Sequence, residues 1–584
     1  MLICGIKASH DGGVAVIDGN RLVFSIEAEK IGNAFRYSPL TGLEQVTQLL
    51  TGQGVDPADV DQFVVDGYWT DDAAVVRTRR SGAPFTLPVA PYLDAPDGDP
   101  LRRYTFGDHD FAGPATGYAS YHHTANHLIG AYCSSPFAAR GEDGLVLIWD
   151  GGMTLRLYQV DRRLSTVRML GTLLPMIGSA FSDFCAAFDP FRYTPQAPDP
   201  EAVVRHSLSI AGKAMAYAAL GSVHEDAFGV IDGLLAERFA AALGLRRGQQ
   251  TPSFQRLAGK MAALSMRIPD SAREVGEQVA AERDTLLPGL SNADLIATFQ
   301  EYLGRLLLHR LTEVVRRHYP NGHPPLAMAG GCALNIKWNR AIRDSGLFSE
   351  VWVPPFPNDS GAAIGTASCE MVSRGGHWAL DWNVYSGPDL VGGGAVPAGW
   401  SARPCDEREV AAILHQEGDP IVVLSGRAEI GPRALGNRSI LAPAVDPLMK
   451  DRLNEAKDRA YYRPVAPICL ASRASEVFDP GGDDRYMLFE HRLRNGWDKR
   501  IPAIVHLDGT ARLQTIEPTD SSTGRILEAY EQLSGVPVLC NTSANLNGRG
   551  FFPDVRTAAE WGRTRHIWSD GTLYTNLQWD RDAS

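Results

Sequence analysis

Three times in this chain a short apolar stretch runs into paired glycines. LICGIKASHDGG reaches Gly12-Gly13, LVLIWDGG reaches Gly151-Gly152, and PLAMAGG reaches Gly330-Gly331. A strand that ends on glycine can turn sharply and let the next backbone, or a ligand, approach closely. Helical stretches lie between these strands, the clearest being LIATFQEYLGRLLLHRLTEVVRRHY, whose apolar residues recur at three- and four-residue spacing. Strands interleaved with helices predict an α/β fold. Glycine turns in two halves of the N-terminal part predict a duplicated nucleotide-binding architecture.

At 584 residues the chain is too long for one ordinary domain. A Gly- and Pro-rich connection between Trp378 and Pro404 is the expected boundary, giving domains over 1–385 and 386–584. IVVLSG and VPVLCN are predicted strands of the second α/β unit. From Asp72 to Gly117 the chain is rich in Pro, Gly, Asp and aromatics and has no clear period. Such a stretch decorates a fold and shapes specificity; Tyr68, Trp69, Phe85, Tyr92, Tyr104 and Phe106 would suit an apolar or sugar-bearing ligand.

Composition narrows the partners. The 56 basic against 68 acidic residues give a net charge of −12, which weighs against a phosphate-tracking nucleic-acid groove. The eight cysteines stand far apart with no C-x-x-C pair, which fits a reducing cytoplasm and excludes a disulfide framework or zinc ribbon. No uncharged apolar run approaches the roughly 18 residues of a membrane span. MLICGIKASHDGG lacks the marks of a signal peptide. A cytoplasmic protein without a membrane partner is expected.

Four constellations carry chemistry. His123 and His127, four apart on a predicted helix, share a face and could meet one metal; His122 points elsewhere. Asp150 in IWDGG and Asp359 in PPFPNDSGAAIG, each at a glycine-containing turn, could complete the set. Two His with carboxylates suit a first-row divalent ion, with iron, manganese and zinc all open. H-x-x-x-H by itself equally describes two partly solvated helix histidines. In AGGCALN, Gly330, Gly331 and Asn335 combine a strand, a double glycine and a helix start, which would bring backbone amides to phosphate or ribose, or else simply pack a tight turn. The run GPRALGNRS with Arg433, then Lys457 and Arg463 in EAKDRAYYRPVAP, Arg512 in DGTARLQT and Asn541 in LCNTSANLNG, sets guanidiniums among Gly and Pro. That pattern suggests fixed forks for a small anion, although any single arginine could serve a surface ion pair. Last, His10 beside Asp11 in SHDGG could be a base or a phosphate contact, or simply an exposed turn histidine.

In this order the segments SHDGGVAVIDG, HHTANHLIGAY, IWDGG, AGKAMAYAALG, AGGCALN, PPFPNDSGAAIG, GPRALGNRSILA, KDRAYYRPVAP, DGTARLQT and LCNTSANLNGRG resemble the NodU/CmcH family of O-carbamoyltransferases. The resemblance also takes in the EAEK strand with Arg36 and runs to about Arg556. It implies a Kae1-like N-terminal domain, with the duplicated actin/Hsp70/sugar-kinase fold, and a YrdC-like α/β C-terminal domain. It implies that carbamoyl phosphate and ATP, with Mg, give carbamoyl adenylate in the second domain. The first domain, holding a divalent metal (iron in the family), would pass the carbamoyl group to an acceptor hydroxyl of a small molecule. Residue by residue, it assigns His123, His127, Asp150 and Asp359 to the metal. Gly330, Gly331, Asn335 and Lys213 fall to the adenylate, Arg433, Lys457, Arg463, Arg512 and Asn541 to carbamoyl phosphate, and His10 to the base. Two features depart from the family: AGKAMAYAALG lacks its proline, and Asp72–Gly117 matches nothing. Oligomeric state, a homodimer included, and the acceptor stay open.

Rival readings remain. The tRNA threonylcarbamoyl-adenosine system uses the same two module types, but its RNA acceptor asks for a basic groove. A nucleotide-gated binding protein without chemistry would not need the full His, Asp and Arg set. A sugar kinase would leave the C-terminal arginines without a task.

Overall fold

The computed structural model describes residues 1–68, 74–107, 117–192, 200–242, 253–263, 271–392 and 395–579. Two compact units divide the chain without following its linear order. One comprises Met1–Ile6, Ile17–Arg21 and Gly42–Asp381, the other Lys7–Val16, Leu22–Thr41 and Trp382–Ser584. The fold is α/β, as the alternation of strands and helices predicts. No described helix is long and apolar enough to cross a membrane.

The first unit holds two sheets. In one, Leu2–Lys7 pairs in parallel with Gln62–Asp66, which pairs in parallel with Tyr118–Tyr121; Tyr104–Phe106 closes that edge antiparallel. The hairpin tip Ile17–Arg21 lies on the other side of Leu2–Lys7, with Gly19 N donating to Met1 O at 3.1 Å. The second sheet runs Thr166–Ile177, Thr154–Asp161, Gly144–Ile148, Leu326–Ala329, Val351–Trp352. Its first three strands are an antiparallel meander and its last two add in parallel. Both sheets thus place a hairpin, a central strand and parallel strands in the same order. GLVLI and LAMA are buried throughout, because helices or loops cover both faces of these central strands.

Small residues let two helices lie close. Helix His123–Cys133 packs on helix Ala362–Gly375, and a Cβ on Gly365 would lie 2.1 Å from Asn126 O. A Cβ on Gly5 would lie 2.1 Å from Ala363 O, so the second helix rests directly on the first strand. Helices Pro200–Tyr217, Phe228–Ala242, Phe254–Ala263, Ser271–Ala281 and Asn292–His318 make the described part of 200–320 mainly helical, as the periodicity predicts. The last starts on a reciprocal Ser291–Asp294 capping box.

The stretch read as irregular contains a hairpin, Val75–Arg80 with Ala83–Pro88, turned by Ser81 and Gly82 at φ 49° and 77°. Its first strand exposes Arg77, Arg79 and Arg80 and its second exposes Ala83, Pro84 and Thr86, so no apolar alternation marks it in the sequence. Trp69 lies outside the described residues.

The second unit is built on an eight-stranded sheet in the order Trp400–Pro404, Thr572–Asn576, His566–Ser569, Ile421–Leu424, Arg438–Pro443, Val538–Ser543, Ala466–Leu470, Gln514–Ile516. IVVL and VLCN, the two strands predicted there, are central and buried. Helices Glu407–Glu417 and Ser522–Ser534 pack together, and the core gathers Val410, Leu414, Val423, Ile440, Leu527 and Leu539.

Candidate metal centre and cationic pocket

In the first unit the two histidines come from the first turns of helix His123–Cys133, and four-residue spacing sets both rings on one side. Asp150 follows strand Gly144–Ile148, and Asp359 opens the short 3₁₀ turn Asp359–Gly361 before helix Ala362–Gly375. All four side chains are buried, with one ligand atom of each within 4.8 Å of the others. Asp359 Oδ1 lies 3.4 Å from His123 Nε2 and 3.3 Å from His127 Nε2. Asp150 lies 3.8 and 3.9 Å from the same two nitrogens, which are 3.2 Å apart. His122 faces the other way, its Nδ1 2.9 Å from Pro91 O.

Two imidazole nitrogens and two carboxylates converging in a buried space are electron-pair donors facing one another. That donor set fits a first-row divalent cation. Burial and the neighbouring Asp359 push the Asp150 carboxyl up, but the His123 and His127 imidazoles outweigh them and hold it below its ordinary value. Tyr92 stacks on the His123 ring at 4.5 Å between centroids and donates to Asp150 Oδ2 at 3.3 Å. Burial, then the Asp150 charge, push the Tyr92 phenol far up, so it stays a hydroxyl donor.

The glycine turn is held by the same carboxylate. Gly330, at φ 87°, would drive a Cβ to 2.3 Å from Trp149 O, and Gly331 N donates to Asp150 Oδ1 at 2.6 Å. Asn335 is the N-cap of helix Ile336–Arg343, its Oδ1 accepting from Lys337 N and Trp338 N. Lys213 is exposed on helix Pro200–Tyr217 and donates to Ser209 Oγ at 2.9 Å. The turn and its cap therefore already serve the fold, whatever else they bind.

The second unit gathers cations. Arg433, Arg463 and Arg512 are half-buried, and the Nε of each is buried with no hydrogen-bond partner. Burial and then Arg512, Arg36 and Arg463 hold Arg433 well below the usual guanidinium range. Burial and the Arg36 charge lower Arg463. Burial, Arg463 and Arg459 bring Arg512 down to about 10. Lys457 is lowered far by burial and by Arg459, and its ammonium donates to Ser543 O, to Ser543 Oγ and to Asn545 Oδ1. Asn541 donates to Gln514 Oε1 at 2.7 Å and Ala434 O, while its own Oδ1 has no partner.

Arg438 in the same run is different. Its guanidinium is buried and tied to the carbonyls of Ser425, Asn437 and Gly426, so it braces the loop instead of awaiting an anion. Glu429 Oε1 accepts from Leu435 N, Asn437 N and Arg438 N, fixing the loop that carries Arg433. Lys30 donates to the carbonyls of Glu429 and Gly431, and Glu27 accepts from Gly431 N and Lys30, so the EAEK segment, a strand end running into the 3₁₀ turn Ala28–Lys30, is part of this scaffold.

Two cations of the cluster carry no assignment from the sequence. Arg459 is brought down to about 9 by burial and then by Arg463, Arg36 and Arg433; it donates to Thr542 Oγ1 at 2.9 Å. Burial works against the charge of Arg36, but Tyr37, Glu29, Asp11 and Glu27 outweigh it and push this guanidinium up. The signal for Arg459 was its place between Lys457 and Arg463 in KDRAYYR. Arg36 lies nearly 400 residues from Arg433 in sequence, and no spacing rule links them.

His10 belongs to the second unit. Its Nδ1 is 3.1 Å from Asp11 Oδ2, and Asp11 sits at φ 54°. Gly12 is required by packing: a Cβ there would lie 2.4 Å from Leu40 N. The turn is tied to the segment after Arg36, with Asp11 N donating to Tyr37 O and Gly12 N to Ser38 O.

These residues lie within segments that match known proteins. The family described as Carbamoyltransferase N-terminus matches residues 2–98 and 115–368, so most of the stretch 72–117, read from the sequence as matching nothing, lies within the match; Carbamoyltransferase C-terminus matches 411–567. Nodulation protein U of Sinorhizobium fredii is 44% identical over 98% of this chain and 99% of its own length. Nodulation protein U of Rhizobium tropici is 44% identical over 98% and 96%. A 3'-hydroxymethylcephem-O-carbamoyltransferase of Streptomyces clavuligerus is 31% identical over 99% of both chains.

Proposed function

Since the chain belongs to the carbamoyltransferase family, we propose that it uses carbamoyl phosphate and ATP to carbamoylate a hydroxyl of a small-molecule natural product. Water cleaves carbamoyl phosphate to carbamate and phosphate. A carbamate oxygen then attacks the α-phosphorus of Mg-bound ATP, and pyrophosphate leaves. The acceptor oxygen attacks the carbamoyl carbon of the resulting adenylate, AMP leaves, and the hydroxyl proton passes to a base. We assign the transfer to a Kae1-like domain over 1–385 and adenylate formation to a YrdC-like domain over 386–584. The segments Lys7–Val16 and Leu22–Thr41 pack with the second.

The observation that carries this reading is the set of three arginines whose buried Nε atoms have no partner. Cations that repel one another in a desolvated pocket are held against a cost that a small polyanion would offset. Arg433, Arg463 and Arg512 would grip the phosphate oxygens in bidentate fashion, and Asn541 would orient the carbamoyl amide through its free Oδ1. Lys457, bound to Ser543 and Asn545, would fix the wall that carries Asn541. Gly330, Gly331, Asn335 and Lys213 would contact the adenylate.

A divalent metal, iron first among the candidates, would be held by His123, His127, Asp150 and Asp359. When bound it would supply positive charge that polarises the mixed anhydride. His10, oriented by Asp11, would accept the acceptor proton. The relative from Streptomyces clavuligerus, named for a cephem hydroxymethyl group, favours a small-molecule acceptor here. The net charge of −12 favours it over RNA.

Arg463→Ala and Arg512→Ala should each abolish carbamoyl-phosphate-dependent pyrophosphate release from ATP while leaving the bound metal in place. Pyrophosphate formation at the normal rate in either variant would overturn the pocket assignment. Tight binding of labelled tRNA at physiological salt would overturn the choice of acceptor.

A further inference from the structure

We propose that Asp66 is the positioning residue of the metal centre, fixing the tautomer and ring plane of His123 so that its Nε2 lone pair faces the other three donors; this rests on the metal reading above. Asp66 ends strand Gln62–Asp66, and nothing in its sequence surroundings, QFVVDG, marks it. In the structure it is buried, and its Oδ2 lies 2.8 Å from His123 Nδ1.

The contact with Asp66 places one ring proton. An ionised carboxylate only accepts, so the short contact requires a proton on His123 Nδ1. Asn126 Nδ2 lies 3.0 Å from that same nitrogen, but a protonated Nδ1 cannot accept from it. The Asn126 amide therefore donates to Asp66 Oδ1, 2.5 Å away. With Nδ1–H committed, Nε2 is the nitrogen left to offer a lone pair to a metal, and it is this atom that faces His127 Nε2, Asp359 Oδ1 and Asp150 Oδ2. A carboxylate behind an imidazole also raises the basicity of the far nitrogen.

Backbone packing holds Asp66 in place. The next residue, Gly67, runs so close to the helix start that a Cβ would lie 2.7 Å from His123 N and 2.5 Å from Tyr121 O. Asn126, one turn along the same helix, holds the second carboxylate oxygen. Tyr92 stacks against the face of the His123 ring, 4.5 Å between centroids, and limits ring tilt. Asp66 is thus gripped from its own strand and from the helix that carries both histidines.

The test uses the full chain, stripped of metal and titrated with cobalt(II) against a chromogenic chelator. Wild type should bind about one ion, and His127→Ala should bind none; failure of wild type to bind would remove the metal reading itself. Asp66→Asn should bind ~10- to 100-fold more weakly. The d–d absorption of its bound cobalt should shift, because an amide is a weaker partner for Nδ1–H and permits the other tautomer. Asp66→Glu, which restores the charge, should recover part of the affinity. An unchanged dissociation constant and spectrum in Asp66→Asn, beside a wild type that binds, would overturn the proposal. Should Asp66→Asn not fold, Asn126→Ala takes its place, with several-fold weaker binding expected and unchanged binding overturning it.

Discussion

In the cationic pocket single residues store a cost that a bound anion would release. Arg459 and Arg512 are brought down to about 9 and about 10 by burial and by one another's neighbours, yet both remain charged at neutral pH. Their folded-state values lie below the unfolded ones, so the unfolded chain binds more protons as pH rises through 9. The penalty is therefore fully present below about pH 9 and is relieved above it. A bound anion removes the same penalty at lower pH. Carbamoyl phosphate, or inorganic phosphate at higher concentration, should raise the melting temperature most at pH 7–8, with the rise shrinking as pH passes 9. Thermal melts across that range, with and without the anion, check it. A ligand-induced rise that grows with pH would mean that these arginines do not face the anion.

At the scale of elements, the candidate metal donors depend on how closely two helices approach. Helix His123–Cys133 supplies both imidazoles, while Asp359 sits at the foot of helix Ala362–Gly375. Gly130 and Gly365 let their backbones nearly touch, a Cβ on Gly130 lying 3.1 Å from Gly365 Cα. Gly365→Ala would force its methyl to within 2.1 Å of Asn126 O, so the helices must part. Overpacking of this kind typically costs ~1–3 kcal/mol. Urea denaturation should show a loss of that size, and metal affinity should fall with it, because Asn126 and His127 move with their helix. Retained stability together with retained affinity would show that the helices absorb the methyl without parting.

For the whole molecule, the prediction concerns the two half-reactions. His10→Asn should still release pyrophosphate from ATP with carbamoyl phosphate and keep its metal, yet transfer the carbamoyl group at least ~10²-fold more slowly. Measuring pyrophosphate and carbamoylated product separately distinguishes the outcomes. Normal transfer would remove the base assignment. Loss of both steps would instead assign the turn at Gly12 a structural role, which its packing against Leu40 makes concrete.

The sequence by itself determined the features that rest on local periodicity and residue type. Helical spacing placed His123 and His127 on one face, apolar runs marked the central strands, and the glycine pairs marked the turns. Alternating strands and helices gave the α/β class, and the motif series gave the family. Tertiary structure alone decided which charges meet. Asp66 lies 57 residues from His123, and Arg36 nearly 400 from Arg433, separations over which no periodicity operates. It likewise distinguished Arg433, whose Nε has no partner, from Arg438 five residues on, whose guanidinium is spent on carbonyls. The grouping of Lys7–Val16 and Leu22–Thr41 with the C-terminal unit is another such result. Side-chain chemistry is written locally, but desolvation and hydrogen-bond pairing are set by whatever the fold brings alongside.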